Sequence, residues 1–345
     1  MLRRVLINKQ ENIEENSLIA LTKWINSLKR IAGAEIIPLK NDASERRYFR
    51  LRKESESFIA VDASLNENCF KFIEIAKYLA KMDLCVPNII EVDLKNSFFL
   101  VSDMGSDQYF DSFQSNADTV NELYTDAIDA LLIMQNQGVV FEDSLPKYNK
   151  SLLNYELSLF KDWFCSKHLN LDFTNLEEDK WKICCDLLIN NALEQRQVFV
   201  HRDYHSKNLM VMSKRSPGIL DFQDAVKGPF TYDLVSLLKD SYIAWPREQV
   251  NLLANYYFEN LDKNIFSSLS KEQFFIYFEL MGVQRHLKVA GIFCRLNYRD
   301  GKPSYLKEIN TVLNYIIEIT PKYSELIFID NLIREKIIPM LDDMK

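Results

Sequence analysis

Val200-His201-Arg202-Asp203-Tyr204-His205-Ser206-Lys207-Asn208-Leu209, followed by Ile219-Leu220-Asp221-Phe222, is the stretch that decides how this chain is read. It sets out His-Arg-Asp, an Asn five residues after the Asp, and a second Asp on a hydrophobic strand. Each residue type has a task at that spacing. Asp203 can accept a proton from an attacking hydroxyl, and Asn208 and Asp221 supply hard oxygens for Mg²⁺ bridging the phosphates of ATP. The pattern is that of phosphoryl transfer from ATP. A plain polar loop between two buried strands is the alternative. It leaves the agreement of residue types, order and both spacings unexplained.

At 345 residues the chain can bury a large core and is expected to form one or two domains. Hydrophobic residues at 47% and charged residues at 26% are the composition of a water-soluble globular protein. A net charge of −7 argues against a nucleic-acid or anionic-membrane partner, which select basic patches. The apolar run after Met1-Leu2-Arg3-Arg4 stops at Asn8-Lys9, too short for a signal core or a membrane span. The six cysteines form no Cys-x-x-Cys pair and no zinc-like cluster. They read as buried thiols, and the expected compartment is the reducing cytoplasm. With 8 Gly and 9 Pro, long flexible linkers are not expected.

Leu18, Leu21, Trp24, Ile25 and Leu28 predict a helix over 14–31. Strand-like pieces come next at 35–39, 48–51 and 58–61, then a helix near 67–82, then strands at 86–92 and 97–101. After Asp103-Met104-Gly105 the periodicity turns helical near 117–136, 150–167, 176–195, 232–244, 247–260, 271–293 and 303–318. Residues 198–222 interrupt it as two short strands and a loop. The expectation is an α+β, two-lobed protein-kinase-like fold. A small β-rich N-lobe (1–105) binds ATP, and a larger, mainly helical C-lobe (106–345) carries catalysis and the acceptor.

The chain departs from protein kinases. No Gly-x-Gly-x-x-Gly precedes the second strand, and the third ends Ile59-Ala60-Val61-Asp62 with no lysine. Asp221-Phe222-Gln223 replaces Asp-Phe-Gly, and residues 224–238 run straight into a helix, leaving little room for a peptide platform. A small-molecule acceptor fits better. Four stretches carry a closer resemblance: Asp42 to Arg50, His201 to Met210, Leu220 to Pro229 with Tyr232-Asp233-Leu234, and Val283-Gln284-Arg285-His286-Leu287-Lys288. Gly291-Ile292-Phe293 and Arg299 to Pro303 extend the last of these. The chain resembles the aminoglycoside phosphotransferase and choline kinase superfamily over about residues 30–320. Within it the chain resembles the anomeric N-acetylmuramate/N-acetylglucosamine kinases of cell-wall recycling. That resemblance implies ATP and Mg²⁺ as cofactors and a small amino sugar as acceptor. It also implies a sugar 1-phosphate product passed to a nucleotidyltransferase. A monomer is expected. Two other readings stay open: a kinase of choline, homoserine or an aminoglycoside, and a non-catalytic nucleotide-binding pseudokinase.

The residues take expected roles accordingly. Asp203 is the general base, or the group that aims the hydroxyl. Asn208 and Asp221 are the metal ligands. His201 supports the loop from the core, and Arg202 pairs with a nearby carboxylate. With no strand lysine, Arg46 or Arg47 is expected to meet the phosphates, beneath a turn carrying Ser44. Strand alternation puts Arg46 and Tyr48 on one face and Arg47 and Phe49 on the other. Asp103-Met104 would offer backbone groups to adenine. His205 turns either to substrate or into the loop, and Asp224 is a candidate contact for sugar hydroxyls. Asp233 reads as a helix cap. Arg285 and Lys288, at i and i+3, share a helix face that would suit the lactyl carboxylate of N-acetylmuramate; an exposed basic face is the plain alternative.

Overall fold

The computed structural model describes residues 2–39, 46–63, 69–115, 119–214 and 216–344, with side chains from Glu15 onward except that of Ser115. Two compact units divide the chain, Met1–Ser106 and Asp107–Lys345.

In the first unit, helix α1 (Leu2–Ser27) precedes β1 (Glu35–Pro38), β2 (Arg47–Lys53) and β3 (Glu56–Asp62). Helix α2 (Cys69–Lys81), β4 (Ile89–Asp93) and β5 (Phe98–Ser102) complete it. The strands form one antiparallel sheet in the order β1-β2-β3-β5-β4. Alternation along each strand decides what it buries. Phe49, Leu51, Phe58, Ala60, Phe98 and Leu100 point to one face, where Leu21 and Ile25 of α1 pack on them. The opposite face carries Phe99, whose ring lies 4.7 Å from Phe72 of α2. Ser44 and its turn lie outside the described residues.

The second unit is mainly helical. It runs through α3 (Tyr109–Ser115), α4 (Val120–Gln137), α5 (Lys150–Leu159) and α6 (Asn175–Glu194). Then come short strands β6 (Gln197–Val200), β7 (Leu209–Met210), β8 (Gly218–Ile219) and β9 (Val226–Pro229). Helices α7 (Tyr232–Leu238), α8 (Arg247–Glu259), α9 (Lys271–Asp300), α10 (Ile309–Ile319), α11 (Ile327–Asn331) and α12 (Ile338–Asp343) close the chain. The catalytic stretch therefore holds two antiparallel pairs, β6 with β9 and β7 with β8. One strand, β9, lies where an uninterrupted run into a helix was expected.

Helix α9 is longer than its periodicity suggested, and almost every residue from Leu280 to Leu296 is buried. A helix buried all round has no polar stripe to mark its end. It crosses α5 where α5 passes into a nine-residue π-helix, Phe160–His168. Gly291 makes that crossing possible: a Cβ there would lie 2.3 Å from the Leu159 carbonyl carbon. Gly291→Ala should therefore destabilise by about 1–3 kcal/mol, despite alanine's better helix propensity. A urea melt checks this, and a gain in stability would refute it. Helix α7 ends at Leu238 rather than near 244, because the chain must leave the helix to bring Asp240 to the catalytic loop. There Asp240 accepts the N–H (3.0 Å) and hydroxyl (2.5 Å) of Ser206.

Candidate active site

The catalytic loop is shaped by a buried group from outside it, Asp233, and by a buried ring of its own, His201. Arg202 takes a left-handed conformation (φ 78°), which an L-residue adopts only when held there. Asp233, in the first turn of α7, holds it by accepting the backbone N–H of His201 (2.6 Å) and of Arg202 (2.9 Å). Asp233 is thus a clamp on a distant turn rather than a cap of its own helix. Burial pushes its carboxyl up to about 7, against the pull of the two N–H donors. His201 is fully buried; its Nε2 donates to the Leu220 carbonyl (2.9 Å) and its Nδ1 accepts the Asp203 N–H (3.2 Å). Burial brings its pKa down to about 4, so it is a neutral strut, as expected of a supporting residue.

This strut sets the relative position of Asn208 and Asp221. Leu220 donates its N–H to the Asn208 carbonyl (3.0 Å), so Asp221 emerges beside Asn208. The Asn208 amide cannot be flipped, because its Nδ2 donates to the Asp203 carbonyl (3.0 Å) and faces His205 Nε2 at 3.4 Å. Its Oδ1 is the oxygen left for a ligand. Asp221 also sits at positive φ (60°), and Gln223 Nε2 donates to its Oδ1 (2.8 Å). Among the described residues no three His, Cys, Asp or Glu side chains are gathered to hold a metal by themselves. Two protein oxygens, with phosphate and water completing the shell, match the habit of Mg²⁺.

Burial alone would raise the pKa of Asp203. The charge of Lys288, that of Arg202, and at acid pH those of His205 and His201 outweigh it, and the carboxyl lies below its ordinary value. Asp203 is therefore ionised at neutral pH. Behind it stands a network not foreseen from the sequence. Glu156 of α5, 2% exposed, receives Arg202 Nη2 at 2.7 Å, Lys288 Nζ at 3.1 Å and Gln284 Nε2 at 3.3 Å, as well as the Tyr148 hydroxyl. Lys288 also donates to the Tyr232 hydroxyl (2.8 Å). The carboxylate expected beside Arg202 is thus Glu156. Burial would raise its pKa, but the Lys288 and Arg202 cations hold it below the ordinary value.

The Arg285-His286-Lys288 face is not an exposed basic surface: all three side chains are buried. His286 sits between the carbonyls of Gly282 (2.7 Å) and Lys239 (2.9 Å). Lys288 is engaged by Glu156 and Tyr232. Arg285 keeps Nε and Nη1 sealed from solvent with no hydrogen-bond partner among the described residues. The His205 ring lies 5.6 Å from that of Tyr242, and burial lowers its pKa. Asp224 is exposed in the loop between β8 and β9.

In the first unit, Arg47 and Asp62 are cross-strand partners, and their side chains meet at 2.5 Å. Asp62 also accepts from Ser17 of α1 (2.7 Å), so Arg47 belongs to the face that α1 covers. Arg46 lies on the opposite face, its guanidinium carbon 5.8 Å from the Phe72 ring centroid and only 2% of the residue exposed. Asp103 is fixed by Arg50 (3.0 Å), Ser57 (2.5 Å) and the Gly105 N–H (3.0 Å), which sets the backbone path through Met104.

Residues 35–264 match the model of the APH phosphotransferase enzyme family. The chain belongs to that family. A relative from Pseudomonas aeruginosa, named N-acetylmuramate/N-acetylglucosamine kinase, is 42% identical over 299 residues, covering 86% of this chain and 87% of the relative. A Pseudomonas putida relative of the same name is 41% identical, covering 90% and 91%. Among solved structures, a choline/ethanolamine kinase family protein from Mesorhizobium loti superposes with a TM-score of 0.63 at 12% identity, covering 91% and 99%. That likeness establishes the shared kinase-like fold. This family member is a phosphotransferase acting on an alcohol group. Among its described residues no helix is long and apolar enough to cross a membrane.

Proposed function

We propose that this kinase transfers the γ-phosphoryl group of ATP to the anomeric hydroxyl of N-acetylmuramate or N-acetylglucosamine. The observation that carries the reading is the ionised, half-buried Asp203 beside the oriented oxygens of Asn208 and Asp221. The amino sugar itself is taken from the names of relatives matching about nine-tenths of the chain. Asp203 takes the hydroxyl hydrogen bond, aims the oxygen in line, and accepts its proton late in the transfer. An anomeric hydroxyl is more acidic than an ordinary alcohol, so a weak base suffices. Asn208 and Asp221 would hold Mg²⁺, which when bound neutralises charge building on the phosphates. Arg46 is favoured over Arg47 as the phosphate cation, since Arg47 lies on the α1 face. The backbone at Asp103 and Met104 would meet adenine, Ser44 the phosphates, and Asp224 the sugar hydroxyls.

A choline or aminoglycoside acceptor is disfavoured, because amines need an acidic lining while buried Arg285 and Lys288 stand near Asp203 and His205. The sugar 1-phosphate would be consumed by a nucleotidyltransferase in the cytoplasm, with the kinase acting as a monomer. Phosphorus NMR of the reaction with each sugar tests the proposal. A product phosphorus coupled to the anomeric proton is expected, and coupling to the C6 protons would overturn the regiochemistry.

A further inference from the structure

Buried donors of His205 and Arg285 lack acceptors among the described residues, and the charge of Arg285 acts on His205. Asn208 Nδ2 is a donor, so the His205 Nε2 it faces must be the acceptor, and the proton of the neutral ring sits on Nδ1. That Nδ1–H is sealed from solvent and meets no partner among the described residues. Arg285, only 5% exposed, is in the same condition at Nε and Nη1. Its charge reaches His205 on the loop and Asp233 behind it. Asp233, however, spends its two oxygens on the N–H groups of His201 and Arg202, and Asp240 spends its own on Ser206 and Tyr242. Lys288 is already committed to Glu156 and Tyr232.

A buried guanidinium without an acceptor is costly, and proteins keep such a group where a ligand completes it. The unmet requirement is for an acceptor of negative charge. A carboxylate can take the planar donor edge of Arg285 and the lone N–H of His205 together.

We infer that Arg285, assisted by His205, forms a carboxylate subsite of the acceptor pocket and sets the preference for an acidic over a neutral amino sugar. This inference rests on the proposed acceptor class. The two candidate sugars differ by one lactyl ether, and the methyl ester of N-acetylmuramate separates its charge from its bulk. Lys288, though on the same helix face, holds Glu156 and tunes Asp203 instead of binding the acceptor anion.

The test uses the full-length enzyme with Arg285→Met and Arg285→Lys. The ratio of kcat/KM for N-acetylmuramate to that for N-acetylglucosamine should fall about 30-fold in Arg285→Met, the size of one or two charge-assisted hydrogen bonds. Arg285→Lys should recover part of it. The wild type should prefer N-acetylmuramate to its methyl ester, and Arg285→Met should not. The melting temperature of Arg285→Met should hold or rise, since an unpaired buried charge has been removed. An unchanged ratio, or a melting temperature several degrees lower, would overturn the subsite. Turnover of N-acetylglucosamine by the wild type checks the acceptor class separately. If neither sugar is phosphorylated, that reading fails. Thermal stabilisation by N-acetylmuramate, compared between wild type and Arg285→Met, then decides the subsite without turnover.

Discussion

Replacing Asp203 with Asn is expected to lower kcat by about 10²–10⁴-fold, the usual worth of a positioned proton acceptor. Nucleotide affinity should change little. The Asn side chain can still accept a hydrogen bond from the acceptor hydroxyl but cannot take its proton. Asp203→Ala loses both functions, so the pair separates proton transfer from aiming. A steady-state assay of ADP release reads both. An Asp203→Asn rate within tenfold of wild type would remove proton acceptance from the mechanism and leave aiming as its role. The pH profile provides a second check. The Asp203 carboxyl lies below its ordinary value of 3.8, because Lys288, His205 and Arg202 together outweigh the raising effect of burial. A group with a depressed pKa stays in its working, ionised form at every pH above it. kcat should therefore be flat through the neutral range, and an acidic limb near the ordinary histidine value would point to His205 instead.

Glu156→Gln is expected to cost about 3–5 kcal/mol of stability, because it leaves the buried Lys288 and the half-buried Arg202 without their shared counter-charge. Activity should fall with it, since Arg202 belongs to the catalytic loop and Lys288 acts on Asp203. Chemical denaturation at neutral pH measures the loss. Adding Lys288→Met to Glu156→Gln should return part of it, because one of the two stranded cations is then removed. A Glu156→Gln variant as stable as wild type would sink the account. The network also sets a pH dependence. The pKa of Glu156 is lowered in the fold from an ordinary value of 4.5, so its stabilisation is present above that value. It is lost as pH falls through the lower folded pKa. The wild type should show this acid-side slope, and Glu156→Gln should not.

The Glu156 network was not legible in the sequence. Glu156 stands in an ordinary helical repeat, 46 positions before Arg202 and 128 before Gln284. A Glu on a helix most often faces water, and nothing local marks this one as buried. The Arg285–Lys288 pair was legible as a shared helix face, but its burial was not. The surrounding stretch of α9, Leu280 to Leu296, is buried on nearly every side, and only packing decides which polar residues it carries inward. Asp233 was visible as an acid at a helix start; its bonds run instead to a turn 31 and 32 positions earlier. The strand alternation of Arg46, Arg47 and Phe49 was correct, because a period of two is a local property of an extended backbone.

The sequence by itself brought together, within residues 201–221, the groups on which the proposed chemistry rests. Asp203, Asn208 and Asp221 lie within one short loop and one hairpin, where spacing fixes which groups can meet. It also determined the order of the first unit's strands and of the longer helices, since hydrophobic periodicity is written in neighbouring residues. The tertiary structure alone decided the charge state of Asp203 and the partners of Arg202 and Lys288. It alone decided, too, that Arg285 is buried with donors unmet among the described residues. Those properties depend on desolvation and on contacts between distant helices, and burial has no local signature in a chain of charged and polar residues.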